Sequence, residues 1–224
     1  MPKAFSPQER ALINQRLLEQ GYRFFSTYGL KKTSVEELAR SVGISKAAFY
    51  LFFASKEALF MDVVEQAEVN YRKVVLASLD EPGPNPRVRL VALLERAMTH
   101  WKAEPVLQIF TGGEYNLLIS RLPPEKVAEH LQSDAEFVHV LVERCRETGI
   151  LIQAQPEEIG QLLYALFFTF LHADDLGPEG FSGGIRILLE LVAAYCLGEI
   201  TLQSVTPLIS SVDPLKVLKN ETVD

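Results

Sequence analysis

Apolar residues return every three or four positions along most of the chain, the period of an amphipathic helix, and no stretch alternates with the period of two that a half-buried strand requires. Ser6-Pro7-Gln8-Glu9 reads as a capping box with proline at the first helical position. Behind it Ile13, Leu17, Gly21, Phe24, Phe25 and Tyr28 keep helical spacing, and Gly29 stops the run. Ser34-Val35-Glu36-Glu37 opens a short helix through Leu38 and Ala39 that ends near Gly43. Ser45 starts another short one, to about Phe52, and Ser55 a long one with Leu59, Phe60, Val63, Val64, Ala67, Tyr71, Val74 and Val75 on its apolar side.

Glu81-Pro82-Gly83-Pro84-Asn85-Pro86 is the clearest break, because proline removes helical donors and clashes with the preceding turn. Helical patterns resume at about 87–103, 105–120, 124–148, 157–174 and 182–202, and Asp213-Pro214 opens one last turn in the tail. The expected fold class is all-α.

Charge divides the chain as the pattern does. Net charge is −7, yet residues 1–56 carry 9 basic and 4 acidic side chains, a balance of +5, and the remainder balances at −12. A basic module on an acidic body points to nucleic acid held at one end, with phosphate repelled elsewhere. Two distant cysteines, Cys145 and Cys196, fit buried thiols in a reducing compartment. The N-terminus has no secretory apolar core, and the run Leu162 to Ala173 falls short of the roughly 20 residues that span a bilayer. The expected location is cytoplasmic, with no membrane partner.

Two short helices around a turn at Gly43 are the minimum of a helix-turn-helix. The first would cross the DNA backbone, with amides at Thr33 and Ser34 meeting a phosphate. The second must enter the major groove, so its leading residues need to be small or able to donate, and Ser45, Lys46, Ala47 and Ala48 meet that demand. Leu38, Val42, Ile44, Phe49 and Phe53 supply a core to fix the crossing, with Ala39 small where the helices meet. Tyr50 and Lys56 lie where a hydroxyl and an ammonium reach the DNA backbone.

Thr33-Ser34-Val35-Glu36-Glu37-Leu38-Ala39, then Val42-Gly43-Ile44-Ser45-Lys46, Phe49-Tyr50, Phe53 and Ser55-Lys56-Glu57-Ala58-Leu59-Phe60 together resemble the N-terminal domain of TetR-family regulators. The resemblance covers roughly residues 10–60. It implies a homodimer of about nine helices per chain. Residues 1–56 would form a three-helix DNA-binding domain, and residues 57–224 a helical ligand-binding and dimerisation domain. It places Ser45, Lys46, Ala47, Ala48 and Tyr50 near bases and Thr33, Ser34, Tyr50 and Lys56 near phosphates. Ala47-Ala48 stands where the family often has Gly-Thr, and Leu51-Phe52 where it often has His-Tyr, so the operator sequence does not carry over. Alanine methyls at 47 and 48 suit a thymine methyl instead.

The resemblance also implies a small-molecule pocket in the body, for which Trp101, Phe110, Tyr115, Phe137 and Phe168 are the candidate contacts of a largely apolar effector. Gly112 and Gly113 cost a helix about 1 kcal/mol each relative to alanine and suggest a kink beside them. His172-Ala173-Asp174-Asp175 reads as a polar helix end. His100, His130 and His139 show no metal-ligand spacing, so neither a metal nor a cofactor is expected. No nucleophile or phosphate-loop motif stands out, which argues against an enzyme. Segments 157–174 and 182–202 are apolar over more than one stripe, as helices buried by their own domain and by a second subunit are. The expected function is a ligand-responsive repressor on a palindromic operator; the alternative is a DNA-bound adaptor governed by a protein partner.

Overall fold

The computed structural model describes residues 5–111, 114–171 and 178–200, leaving out the side chains of 110, 111, 114, 116, 171 and 178–182. Among the described residues every regular element is helical: α1 (Pro7–Lys32), α2 (Val35–Ser41), α3 (Lys46–Phe49), α4 (Lys56–Ala77), α5 (Pro86–Ala103), α6 (Glu114–Arg121), α7 (Pro124–Glu147), α8 (Pro156–Leu171) and α9 (Pro178–Cys196). Two 3-10 turns, Ser78–Asp80 and Pro105–Thr111, interrupt them. The all-α expectation holds. The final turn at Asp213, the Gly112-Gly113 kink and the histidine-aspartate run at 172–175 lie outside the described residues.

Side-chain caps start the helices where the sequence places them. The Ser6 hydroxyl accepts from the Glu9 amide at 3.2 Å while the Glu9 carboxylate accepts from the Ser6 amide at 2.8 Å. Ser34, Ser45, Ser55 and Asn85 cap α2, α3, α4 and α5 by the first of these bonds alone, each side chain accepting from one amide. Each satisfies one of the four amides that a helix start leaves without an intrahelical partner.

Two differences from the sequence reading have local causes. Gly29 adopts φ 73° and ψ 176°, which breaks α1, but Leu30 packs into the core and another turn follows to Lys32. Helix α3 closes at Phe49 rather than Phe52, because the Leu51 and Phe52 amides bond back only three residues, to Ala48 and Phe49.

Two hydrophobic clusters organise the chain. One fills the body with α5, α7, α8, α9 and the end of α4, around Leu94, Met98, Val142, Ile150, Leu189 and Ala193. The other lies under the N-terminal helices, and it does not stop at residue 56. Leu17, Phe25, Leu38, Phe49 and Phe53 share it with Leu59, Phe60, Val63 and Val64 of α4. Val106, Leu107, Ile109, Leu118 and Leu122 complete it from the segment after α5. Helices α1 and α4 close tightly at Gly21, where an added Cβ would stand 3.2 Å from Val63 Cγ2. Edge-on packing of Phe25 against Phe60, with ring centroids 4.7 Å apart, secures the same contact.

Polar ties fix the N-terminal helices to the body. The Tyr22 hydroxyl of α1 donates to Glu104 at 2.7 Å, and Arg121 pairs with Glu57 at 2.7 Å. Burial raises the Glu57 pKa, but the Arg121 hydrogen bond and charge, with the start of α4, outweigh it and hold the carboxyl below its usual value.

Candidate nucleic-acid interface

Helices α2 and α3 meet through a turn that needs its glycine. The Gly43 amide bonds Arg40 O at 3.1 Å and the Ile44 amide bonds Ala39 O at 3.0 Å, which places Gly43 at φ 77°. Nothing lies within 4 Å of where its Cβ would be, so the backbone conformation alone demands glycine there. Leu38, Ala39 and Phe49 are buried between the two helices, and Phe53 packs on Phe49.

This burial fixes what α3 presents. Ser45, Lys46 and Ala47 are exposed, Ala48 is half-buried, and Tyr50 and Leu51 extend outward at 50% and 58% exposure. Tyr50 is steadied edge-on by Phe49, with ring centroids 5.5 Å apart. Arg10 holds the far end of α3: its guanidinium donates to Leu51 O at 2.9 Å and stacks over the Phe52 ring. A short helix thus offers small side chains, one ammonium and one phenol from a rigid base, the composition that fits a major groove.

The corner before α2 is built differently. Thr33 is buried, and its hydroxyl donates to Gly29 O at 2.8 Å. Ser34 Oγ accepts from the Glu37 amide at 3.3 Å. Lys56 turns inward: Nζ donates to Leu30 O at 2.6 Å and to Thr33 O at 2.8 Å. It closes the frayed end of α1 and sets the direction in which the chain enters α2.

The residues expected to line a pocket are only partly brought together. Trp101 is half-buried, with Tyr71 edge-on at 5.2 Å and Phe167 at 5.4 Å between ring centroids. Phe137 lies under the Arg72 guanidinium, 5.2 Å from its ring centroid. Burial first, then the charges of Tyr164, Asp134 and Glu68, push the Tyr115 phenol up to about 12. Phe168 is instead 57% exposed on α8, one turn beyond the exposed Tyr164. The side chain of Phe110 lies outside the described residues. An open cleft of about 620 Å³ occurs elsewhere, between α1 and α4, lined by Asn14, Gln15, Tyr22, Gln66, Asn70 and Glu104 among others.

Sequence reasoning missed a polar group beside these aromatics: Glu68 and Arg72 of α4 against His130 and Asp134 of α7. The available signal was Glu68 itself, a carboxylate inside the apolar stripe between Val64 and Tyr71.

A helix-turn-helix with an exposed second helix, carried on a larger helical body, is the architecture of a DNA-binding module. Residues 17–63 match the family described as bacterial regulatory proteins, tetR family. YerO of Bacillus subtilis, an uncharacterised HTH-type transcriptional regulator, is 43% identical over 51 residues, 23% of this chain and 18% of that protein. The HTH-type transcriptional repressor BepR of Brucella suis is 24% identical over 185 residues, 78% of this chain and 86% of that protein. Among solved structures, Thermus thermophilus FadR, a TetR-family repressor in complex with lauroyl-CoA, aligns with a TM-score of 0.57 over 87% of this chain and 98% of that one. At 20% identity that likeness is one of fold. The matches to the first four curated relatives span 18 to 49% of those proteins' lengths. The sequence likeness to the TetR family covers residues 17–63, and the fold as a whole is similar to that of TetR-family regulators rather than to that of an enzyme. No helix among the described residues is long and apolar enough to cross a membrane.

Proposed function

We propose that this protein is a cytoplasmic, ligand-responsive repressor that binds a palindromic operator as a homodimer, with residues 1–56 as the DNA-binding domain and 57–224 as the regulatory one. The observation that carries the reading is the exposed face of α3 on a buried base. Ser45, Lys46, Ala47, Ala48 and Tyr50 would face bases. The Thr33 and Ser34 backbone and the Tyr50 hydroxyl would hold phosphates. Lys56 joins this set through the corner it braces rather than through a free ammonium.

Exposed apolar side chains support the dimer. Tyr164 and Phe168 on α8, with Ile187, Leu188 and Leu191 on α9, are 40 to 67% exposed and follow helical spacing. Apolar faces of this kind on two helices that pack together suit a two-fold helical interface.

Coupling between effector and DNA would run through residues 105–122. They follow Trp101, place five side chains in the core beneath the DNA-binding helices, and end at the Arg121–Glu57 pair. An apolar effector near Trp101, Tyr115 and Phe137 would shift this segment and with it the spacing of the two heads. FadR's lauroyl-CoA makes an acyl chain the first effector to test. The packing of Tyr71 and Phe167 on Trp101 favours a second reading, an adaptor with a filled core and no effector. Selection of genomic fragments on the full chain tests the operator reading. Inverted repeats with half-site centres about 34–36 Å apart, or a multiple of that, support it. Recovery of fragments without symmetry refutes it. Release of those fragments by acyl-CoA supports the repressor over the adaptor.

A further inference from the structure

We propose that Glu68, His130 and Asp134 form a binding site for a first-row divalent cation such as Zn²⁺, bridging α4 and α7 independently of the operator reading. Each offers one donor atom, and the three donors lie within 4.8 Å of one another. His130 Nδ1 stands 3.6 Å from Glu68 Oε2, and an Asp134 carboxylate oxygen completes the set within the same 4.8 Å. The 3.6 Å separation is too long for a hydrogen bond. Two donors held about 2.0–2.2 Å from one tetrahedral ion lie roughly 3.4 Å apart, close to the His130–Glu68 spacing.

Burial gives the second, independent observation. The side chains of His130 and Glu68 are 4% and 5% exposed, and His130 Nδ1 has no hydrogen-bond partner. A buried polar nitrogen without a partner is costly, and an ion shared with Glu68 satisfies it. One imidazole and two carboxylates suit Zn²⁺ and its neighbours better than Mg²⁺ or Ca²⁺, which prefer oxygen alone. Asp134, whose side chain is 48% exposed, closes the third position on the side open to water.

Arg72 tunes the site. Its guanidinium pairs with Asp134 at 2.5 Å, stands 3.7 Å from Glu68 Oε2 and donates to Ser133 Oγ. An incoming cation takes Asp134 from Arg72, so the arginine weakens binding by like-charge repulsion.

Titration of the chelator-treated full chain with Zn²⁺, by calorimetry, and with Co²⁺, by visible absorption, tests the proposal. One ion per chain is expected, with the intense cobalt bands of a low-coordinate site. H130Q and D134N should each weaken binding at least about tenfold, H139Q should leave it unchanged, and R72Q should tighten it about tenfold. D134N sits at the exposed edge and keeps the test valid if H130Q disturbs folding. Absence of stoichiometric binding, equal binding by D134N, or no tightening in R72Q would overturn the site.

Discussion

Replacing Lys56 with methionine keeps the length of the side chain and removes only its ammonium. In the fold that group closes the end of α1, donating to Leu30 O at 2.6 Å and Thr33 O at 2.8 Å. A hydrogen bond to a charged group contributes about 1.5–3 kcal/mol. The site is half-buried, and water recovers part of the loss at the two carbonyls, so a net cost of about 2–3 kcal/mol is expected rather than the full sum. Urea unfolding followed by circular dichroism measures it as a fall in midpoint at constant slope. The same variant separates brace from phosphate contact. A lysine bound directly to phosphate lowers the salt slope of DNA affinity by about 1 when removed. The inward geometry predicts a nearly unchanged slope and a clear loss of stability. A variant as stable as the parent, with the slope reduced by about 1, would refute the brace.

Other consequences follow from single positions. Gly43→Ala should cost about 1–2 kcal/mol, read as a lower urea midpoint, because φ 77° disfavours a Cβ although space is open around it. Cys145 and Cys196, pushed by burial up to about 12 and 11, should resist alkylation in the native chain at neutral pH and react once urea is added. Because those pKa values are raised, their contribution to stability is complete below the unfolded value of about 8.5 and is lost as pH climbs toward 11 and 12. Ile187→Glu and Leu191→Glu, both at exposed apolar positions on α9, should turn a sedimenting dimer into monomer without loss of helicity. A dimer that survives both would place the interface elsewhere.

Local rules carried far in this chain. Each serine N-cap announced its helix, because a hydroxyl followed by an apolar repeat has few other uses. Gly43 and the buried set Leu38, Ala39, Phe49 and Phe53 likewise followed from the turn chemistry and the helical period. Long-range pairings did not. Nothing in sequence links Lys56 to the carbonyls of residues 30 and 33, or places Leu107 and Leu118 in the core of the N-terminal helices. Lys56 looked available to DNA because an isolated lysine after a serine cap usually points to water. The Glu68–His130 pairing joins residues on two helices, and spacing rules for metals count along one segment. Phe168 reads as a pocket contact because it lies in an apolar run, yet on a helix buried from two sides the same run must also supply the outward face.

The most direct test of the central claim is operator affinity for Lys46→Ala and Tyr50→Phe, measured by fluorescence anisotropy on a selected fragment at fixed salt. Lys46 and Tyr50 are exposed and belong to neither hydrophobic cluster, so both variants should keep the parent's unfolding midpoint. The account predicts that each loses about 1–3 kcal/mol of binding, roughly 5- to 150-fold in affinity. Parental affinity in both variants would contradict α3 as the element that reads DNA.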